Sequence, residues 1–369
     1  MTDTQTPTPQ AEMRSIIARI ATGPDLSKDI SLEEARNGMR YVLDGEVDPV
    51  QGAIYLIALR MKRETDDENK GVLDALRSVT ERATAPVDEV VDIADPYDGY
   101  NRTLPPAPFL APLLAELGIP AFSHGMETVG PKYGVTHKQV LREAGLPVDL
   151  SPAQAAARLG DIGWAYVDQS RFAPKLFNLL DFRSLIVKRP AITTVEVMCG
   201  PIVGRQKTHL MTGYVHKPYP RIYAMLARHA GYDSMLLVRG VEGGVLSSLR
   251  QSGKLFFYHD GGMEDSVEMN PEDMGIQQEV RAIPVPEDMA ETAVVTDAIT
   301  GEKDNTGVAA AAAEAGIAAL RGTKGATYDA LVYGAATVLW HLKKAGSLQA
   351  GADMARSVLD SGAAFDRLR

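Results

Sequence analysis

Apolar segments typical of strands alternate with helical patterns from residue 86 onward, and this alternation constrains the fold most. The first unit, residues 91–127, predicts a strand, an irregular loop, a helix at 109–117 and a second short strand at 121–122. Because parallel strands are joined by helical crossovers, the pattern predicts an α/β domain with a mostly parallel central sheet. Further strands are predicted at 164–167, 195–198, 234–238 and 254–259, the last at the sheet edge, and helices at 171–180, 308–320, 328–344 and 348–361.

The first 85 residues carry only helical patterns, at 12–21, 32–43, 50–62 and 65–76. Short amphipathic helices bury little surface alone. We therefore expect a small N-terminal helical domain, residues 11–85, which central helices could complete and which pairs with a second copy as a homodimer. Residues 1–10 are expected to be a disordered tail, and 86–369 the α/β domain with its C-terminal helices. The third helix carries a stripe of Ile54, Ile57, Ala58 and Met61, and the expected second-subunit face is Leu43, Ile54 and Ile57.

Composition is that of an ordinary soluble globular protein. The chain has 369 residues, 45% hydrophobic and 23% charged, and no apolar run of about 18 residues that would suggest a membrane span. The polar N-terminus lacks the features of a signal peptide. The single cysteine, Cys199, excludes an intrachain disulfide and favours a reducing cytoplasm, where we expect it to be a small buried residue.

Charge is unevenly distributed along the chain. The net charge of −10 argues against generic nucleic-acid binding, yet residues 171–228 contain ten Lys or Arg residues and only two acidic ones. This segregation predicts an anionic ligand that docks on the central segment, with a solvated basic face as the alternative.

The loop after the first predicted strand is the main candidate site. Asp95-Pro96-Tyr97-Asp98-Gly99 forces a turn, and a strand, loop and helix N-terminus in that order can hold an anion. Prolines at the helix start remove amides, which makes the loop a poor phosphate cradle. Instead, an aromatic platform with an amide and a guanidinium could stack on a planar ring; its residues are Tyr97, Tyr100, Asn101 and Arg102.

Other candidate ligand-binding residues lie outside this loop. His124, followed by Gly125, could donate to a phosphate or ribose oxygen, with a core histidine as the alternative. The basic segment with Arg183, Lys188 and Arg189 could bind a carboxylate or phosphate, or only face solvent. A loop that could close over the ligand contains Lys132, His137 and Lys138. No metal-ligand spacing links Cys199, His209 and His216, and no catalytic triad or Walker motif is present.

Three long segments resemble a known family. SLEEARNGMRYVLDGEVDPVQGAIYLIALRMKRET (31–65), LRGTKGATYDALVYGAATVLW (320–340) and SLQAGADMARSVLDSGAAFDRL (347–368) are similar to anthranilate phosphoribosyltransferases and their glycosyltransferase family 3 relatives. The resemblance implies a dimerising helical domain, a hinge near Pro86 and a larger α/β domain with the active cleft. It also implies binding of phosphoribosyl pyrophosphate and Mg²⁺, with an aromatic amine displacing pyrophosphate and an arginine near Arg183 meeting the substrate carboxylate.

The chain departs from that family's pattern at its ligand-binding motifs. Asp95-Pro96-Tyr97-Asp98-Gly99 stands at the GTGGD loop, and the polar residues beyond that loop become Pro105, Ala107 and Pro108. The family's KHG becomes Ser123-His124-Gly125, and its Asp-Glu magnesium pair falls near Val245-Leu246, three residues after Glu242.

These departures predict a divergent member of the family. We expect it to bind a phosphorylated or ribosylated small molecule in a basic cleft and not to carry out ordinary anthranilate transfer. Mg²⁺ binding is in doubt, because the acidic pair that would bind the ion is replaced. The alternative is a non-catalytic nucleic-acid-binding homodimer, similar to family members with a rebuilt Tyr-Asn-Gly loop; the corresponding segment here is Asp98-Gly99-Tyr100-Asn101-Arg102.

Overall fold

The chain begins with four helices. The structure, a computed structural model, describes residues 7–23, 25–290, 294–295, 297, 299 and 303–368. The helices span Pro9–Ile20, Leu32–Asp44, Pro49–Lys62 and Asp66–Ser78. The first begins within the predicted tail, because Thr8 Oγ1 accepts the Ala11 amide and proline fits a first helical turn. Residues 1–6 of that tail lie outside the described residues.

The third helix presents a different face to the core than its sequence stripe predicts. Tyr55, Leu56 and Leu59 are buried, whereas Ile54 is 37% and Met61 75% exposed. Of the predicted stripe only Ala58 is buried, so the rest of this apolar surface lies outside the core of one chain. Leu43, which was predicted to face a second subunit, is instead buried in the core of the single chain.

Segments from the centre of the chain complete the helical layer. The helix Leu180–Ile186 packs on the third N-terminal helix, Pro174–Phe177 on the second, and Tyr219–His229 on the fourth. Their buried side chains share one hydrophobic cluster, which includes Met39, Tyr55, Leu176 and Ile192. Tyr219–His229 also contacts the strands Ser234–Val238 and Gly253–Tyr258, so this helix of the basic segment lies between the N-terminal helices and the sheet.

The central sheet has seven strands, of which five are parallel, so the prediction of a mostly parallel sheet is confirmed. Gly253–Tyr258 pairs antiparallel with Ser234–Val238, and Asp265–Met269 pairs antiparallel with Gly253–Tyr258. From one edge to the other the strands are Trp164–Asp168, Ala121–Gly125, Glu89–Ala94, Lys207–Gly213, Ser234–Val238, Gly253–Tyr258 and Asp265–Met269.

Three local predictions differ from the structure. Residues 195–198 are helical rather than a strand, as the end of Ile192–Val195 followed by the 3₁₀ turn Glu196–Met198. Asp265–Met269, not the preceding strand, forms the sheet edge. Pro174 starts a new short helix, Pro174–Phe177, after Gln169–Phe172, so 171–180 is not one continuous helix.

Helices cover the other face of the sheet and enclose a second hydrophobic cluster. Cys199 is buried in the first cluster, and burial raises the pKa of its thiol to about 12. In the part of the chain that the structure describes, no helix is both long and apolar enough to cross a membrane. The remaining α-helices are Leu110–Glu116, His137–Glu143, Pro152–Ile162, Glu287–Ala290, Thr306–Leu320, Ala326–His341, Leu348–Ser361 and Ala363–Asp366.

Within the described ranges, four 3₁₀ helices and two short strand pairs connect these elements. The 3₁₀ helices are Ala107–Phe109, Glu196–Met198, Val241–Gly243 and Pro271–Met274, and the paired strands are Ala83–Thr84 with Ile202–Val203 and Val294–Val295 with Lys303–Asp304.

Candidate functional site

The carboxyl ends of three neighbouring parallel strands meet at one edge of the sheet, where α/β proteins commonly bind ligands. The loops that leave these ends, 95–103, 213–216 and 239–245, surround a cavity of about 490 Å³, which we call the aromatic cleft. Arg60 of the third N-terminal helix also lines this cavity. The aromatic side chains on its wall, none of them predicted as ligand-binding, are Tyr214, His216, Tyr219 and Tyr223.

Asp95 anchors the 95–103 loop from inside. Its buried Oδ1 accepts hydrogen bonds from Tyr100 Oη and the Val245 amide, each at 2.9 Å. Tyr100 also exchanges two backbone hydrogen bonds with Val135, at 2.9 and 2.8 Å. Burial, followed by the Asp95 carboxylate, raises the pKa of Tyr100 well above its ordinary value. Tyr100 therefore ties the loop to its neighbours instead of offering a free stacking surface.

His124 and Tyr97 lie in the core and not in the cleft. His124 is 1% exposed; its Nε2 donates to Asp92 Oδ1 at 2.8 Å and its Nδ1 is hydrogen-bonded to Tyr97 Oη. Asp92 also accepts from Tyr232 Oη at 2.6 Å. A Cβ on Gly125 would lie 3.3 Å from Tyr166 Oη, so this strand end is closely packed. Both nitrogens of the His124 ring are occupied, as the alternative of a core histidine requires.

Arg183 forms an internal ion pair. The side chain is 3% exposed, and its two terminal nitrogens donate to the two carboxylate oxygens of Glu196 at 2.8 and 2.7 Å. The guanidinium fork therefore binds a carboxylate as the sequence suggested, but the carboxylate is the protein's own. Lys188 is exposed and lies outside the residues that line the aromatic cleft.

Five of the predicted ligand-binding residues do line the aromatic cleft: Asp98, Asn101, Arg102, Lys132 and Arg189. Arg189 donates to Asp98 Oδ2 from Nη2 at 2.5 Å and from Nε at 3.1 Å. Gly99 lies beneath them with φ of +70°, and a Cβ there would be 2.4 Å from the Val135 carbonyl oxygen. The loop therefore needs glycine at this position.

The other two residues of the predicted closing loop lie away from the cleft. His137 is buried, with Nε2 3.2 Å from Asp95 Oδ2. Lys138 pairs with Asp149 and Asp168, at 2.9 and 3.1 Å.

Glu242 lies at the centre of the cleft wall. Its Oε2 accepts the Asn101 amide at 3.0 Å, and its Oε1 accepts the Arg102 amide and the Thr103 hydroxyl, each at 2.9 Å. Lys132 Nζ lies 3.2 Å from Oε2. Burial alone would raise the pKa of the Glu242 carboxyl, but Lys132 and the loop hydrogen bonds outweigh it and hold that pKa below its ordinary value.

A second cavity of about 700 Å³ adjoins the aromatic cleft and shares Arg102, Val215 and Glu242 with it. We call it the arginine cavity, because its wall carries Arg102, Arg239, Arg250 and Arg281. Arg250 donates to the Glu279 carbonyl oxygen at 3.3 Å. The other three guanidinium groups have no hydrogen-bond or ion-pair partner among the described residues. Sequence patterns did not reveal this cluster, because its members come from three separate segments.

The described residues do not fit a magnesium ion held by the protein alone. No group of three or more His, Cys, Asp or Glu side chains in the described ranges could hold a metal ion. Val245 and Leu246, at the expected acidic pair, are apolar and buried. The carboxylates that do line the aromatic cleft, Asp98 and Glu242, are each paired with a cation.

Comparison with known proteins places the whole architecture in one family. Residues 14–80 match the helical bundle domain of a glycosyl transferase family, and residues 106–365 match the α/β domain. An uncharacterised protein of Aquifex aeolicus is 30% identical over 223 residues, which are 60% of this chain and 66% of that protein. The anthranilate phosphoribosyltransferase of Nitrobacter hamburgensis is 28% identical over 364 residues, 97% of each chain.

Solved structures of anthranilate phosphoribosyltransferases have the same fold. The Thermus thermophilus enzyme superposes with a TM-score of 0.68 at 19% identity, covering 97% of each chain. The Saccharomyces cerevisiae enzyme, solved in complex with PRPP and Mg, superposes with a TM-score of 0.74 at 14% identity over 97% of this chain and 96% of its own. With both domains matched in order, the chain belongs to the glycosyl transferase family that includes the anthranilate phosphoribosyltransferases.

Proposed function

We propose that the protein binds a phosphorylated or ribosylated small molecule, of the size of a nucleotide or sugar phosphate, across the aromatic cleft and the arginine cavity. The observation that carries this proposal is the arginine cavity, where three guanidinium groups that have no partner among the described residues line one concave surface. Guanidinium groups bind phosphate oxygens through paired hydrogen bonds.

The aromatic cleft supports the second half of the ligand. Tyr214 and Tyr223 line its wall, and Tyr219 Oη accepts a hydrogen bond from Arg60 at 2.7 Å. Burial raises the pKa of the Tyr223 hydroxyl, so this group stays protonated and can donate. Tyrosines combine an apolar ring with a polar end, which suits a base or a ribose. Because Arg102 lines both cavities, a single ligand can reach from one into the other.

We infer that any group transfer differs from ordinary anthranilate transfer. A solved relative of this fold is described with PRPP and Mg, which supports a phosphoribosyl ligand class. The resemblance implies an acidic pair that binds the metal, but Val245 and Leu246 stand there and are buried. It also implies an arginine that binds the substrate carboxylate, but Arg183 is paired with Glu196 inside the protein. Binding is therefore the part of the activity that the described residues support.

Calorimetry tests the proposal directly. We expect measurable affinity for at least one member of a panel of phosphoribosyl pyrophosphate with Mg²⁺ and simple nucleotides. Arg239→Ala and Arg281→Ala should each weaken that binding by about 1.5–3 kcal/mol, the usual value of a charged hydrogen bond. The control is Arg14→Ala, an exposed arginine of the first helix that lines neither cavity. Absence of binding across the panel, or equal affinity in all variants, would contradict the proposal.

The alternative function is nucleic-acid binding by the same arginine cavity. It is favoured by the exposure of all four arginines, which a sugar-phosphate backbone could contact. It predicts a gel shift with single-stranded DNA or RNA, and an affinity that falls steeply with salt concentration because counterions are released. Affinity for mononucleotides with no such shift favours the small-molecule function.

We also propose that the protein is a homodimer. Val50, Ile54 and Met61 on the third helix are exposed, as are Leu185 and Val187 on the helix packed beside it and just after it. Burying this apolar surface against a second copy is favourable. Light scattering should give about twice the 39.8 kDa chain mass, and Ile54→Asp with Met61→Asp should reduce it to one chain. Met263→Asp, at a methionine elsewhere that is even more exposed than Met61, is the control.

A further inference from the structure

We infer that Glu242 fills an anion-binding cradle of its own protein, and that a ligand phosphate binds in this cradle only after the carboxylate has moved out. The cradle consists of the backbone amides of Asn101 and Arg102, the hydroxyl of Thr103 and the ammonium of Lys132. The inference rests on the proposed function for its ligand class, and on the contacts of Glu242 for the cradle itself.

The number and direction of the donors define the cradle. Each oxygen of the Glu242 carboxylate has two of them: Oε2 has the Asn101 amide and Lys132, and Oε1 has the Arg102 amide and the Thr103 hydroxyl. All four distances lie between 2.9 and 3.2 Å. Four donors that converge on one pair of oxygens are equally suited to the oxygens of a phosphate.

The charges show why phosphate can compete with the carboxylate. Within the cradle, the single negative charge of Glu242 is balanced by Lys132. A phosphate dianion brings one further negative charge, and the guanidinium of Arg102, which borders both cavities, has no partner among the described residues. The exchange therefore pairs a cation that is otherwise unpaired.

Glu242 also has a route out of the cradle. Its backbone lies in the left-handed region, with φ of +55°, which residues with a side chain rarely adopt. Gly243 follows it with φ of +90°, a conformation that glycine adopts without strain. The side chain borders the arginine cavity, so a displaced carboxylate can pair with Arg239 or Arg281. The 239–245 loop thus couples ligand binding to a change in its own ion pairs.

Inorganic phosphate and pyrophosphate, titrated by calorimetry, test the inference without any nucleotide. Removal of the internal competitor in Glu242→Ala should raise the affinity by at least about tenfold over the wild type, because the cradle becomes available in every molecule. Glu279→Ala is the matched control, since it removes an exposed carboxylate from the arginine cavity and the same charge. Lys132→Ala added to Glu242→Ala should abolish the gain.

Two outcomes of this titration would overturn the inference. Equal phosphate affinity in the two single variants would overturn the inference, because the gain would then reflect net charge alone. A gain that survives loss of Lys132 would place the anion elsewhere and also overturn it. If Glu242→Ala fails to fold, as judged by circular dichroism, Glu242→Gln replaces it: this variant keeps the side-chain size and loses the charge, and it should still bind phosphate more tightly than Glu279→Gln.

The test separates this inference from the proposed function. Nucleotide binding that depends on Arg239 and Arg281, with no gain in Glu242→Ala, would remove only the cradle. A Lys132-dependent gain in phosphate affinity, with no nucleotide bound by any variant, would keep the cradle and remove the proposed ligand.

Discussion

The parallel strands carry clustered polar groups at both of their ends, which we call the amino-terminal edge and the carboxyl edge of the sheet. The two groups are of opposite character. At the amino-terminal edge, His209 Nδ1 and His341 Nε2 are hydrogen-bonded to the Ser234 hydroxyl, at 2.7 and 2.9 Å, and His341 stacks on His259 with ring centroids 4.5 Å apart. At the carboxyl edge, charged pairs such as Arg189 with Asp98 line open cavities.

The difference lies in what burial does to charge. At the amino-terminal edge, burial, followed by the neighbouring His259 and His209, lowers the pKa of His341 to about 3, so the group stays neutral and part of the core. At the carboxyl edge, Lys132 and the loop hydrogen bonds outweigh burial and hold the pKa of the Glu242 carboxyl below its ordinary value, and we infer that an incoming anion can exchange with this carboxylate. Clustered polar residues therefore indicate a binding site only where a ligand can replace the internal partner of a charged group.

The largest effect on stability is expected at Arg183. Its pair with Glu196 is buried, so we expect it to stabilise the fold and not to exchange with a ligand. Arg183→Ala leaves the Glu196 carboxylate buried without its partner and should lower the free energy of unfolding by about 3–5 kcal/mol. Urea denaturation measures this loss. A change below about 1 kcal/mol, together with lost ligand affinity, would restore the ligand-binding role that the sequence suggested for this arginine.

A smaller effect is expected from acid at the amino-terminal edge. His341 has a folded-state pKa of about 3, below its ordinary 6.5, so below pH 6.5 the unfolded chain binds a proton that the folded chain does not. Its contribution to stability is therefore lost as pH falls, by about 1.5 kcal/mol between pH 6.5 and 5. Denaturation of His341→Asn over this range should show a shallower slope, while the exposed His216→Asn keeps the wild-type slope. Identical slopes in all three proteins would contradict the comparison.

The smallest effect on stability is expected at Arg189. Its pair with Asp98 is partly exposed, so Arg189→Ala should change the free energy of unfolding by less than about 1 kcal/mol. The variant also leaves a carboxylate unpaired in the aromatic cleft, which should weaken binding of an anionic ligand. Thermal denaturation and calorimetry on one preparation measure both; a loss of stability as large as that of Arg183→Ala would erase the distinction between exchangeable and buried pairs.

The sequence predicted the layers better than the individual strands. The central strand Lys207–Gly213 was not predicted, because threonine and histidine interrupt its apolar pattern. In the fold these groups are satisfied by neighbours: Thr212 donates to the Ala94 carbonyl oxygen at 2.8 Å, and Thr208 accepts the Gly204 amide at 3.1 Å. Conversely, 195–198 has the composition of a strand but is helical, and Glu196 in this segment accepts hydrogen bonds from Arg183.

For the site, the sequence located the loop but not the roles of its residues. The side chains at 98, 101 and 102 line cavities, and their ligand-binding role stays a prediction, while Tyr97 points into the core towards His124. The role of Glu242 could not be recognised, because its main partners, Asn101 and Arg102, lie about 140 residues away in the chain. The cluster of glycines at 240, 243 and 244 is the one local signal: a Cβ on Gly244 would lie 1.7 Å from Tyr100 Oη.

Cys199 gives this chain a practical advantage for experiments on motion. It is the single thiol, and burial with a pKa near 12 makes it unreactive towards alkylating reagents while the protein is folded. A cysteine introduced at an exposed position, such as 14 or 188, can therefore carry a fluorophore without removal of the native residue. Slow labelling of Cys199 itself would report how often the interior shared by the helices and the sheet opens to solvent.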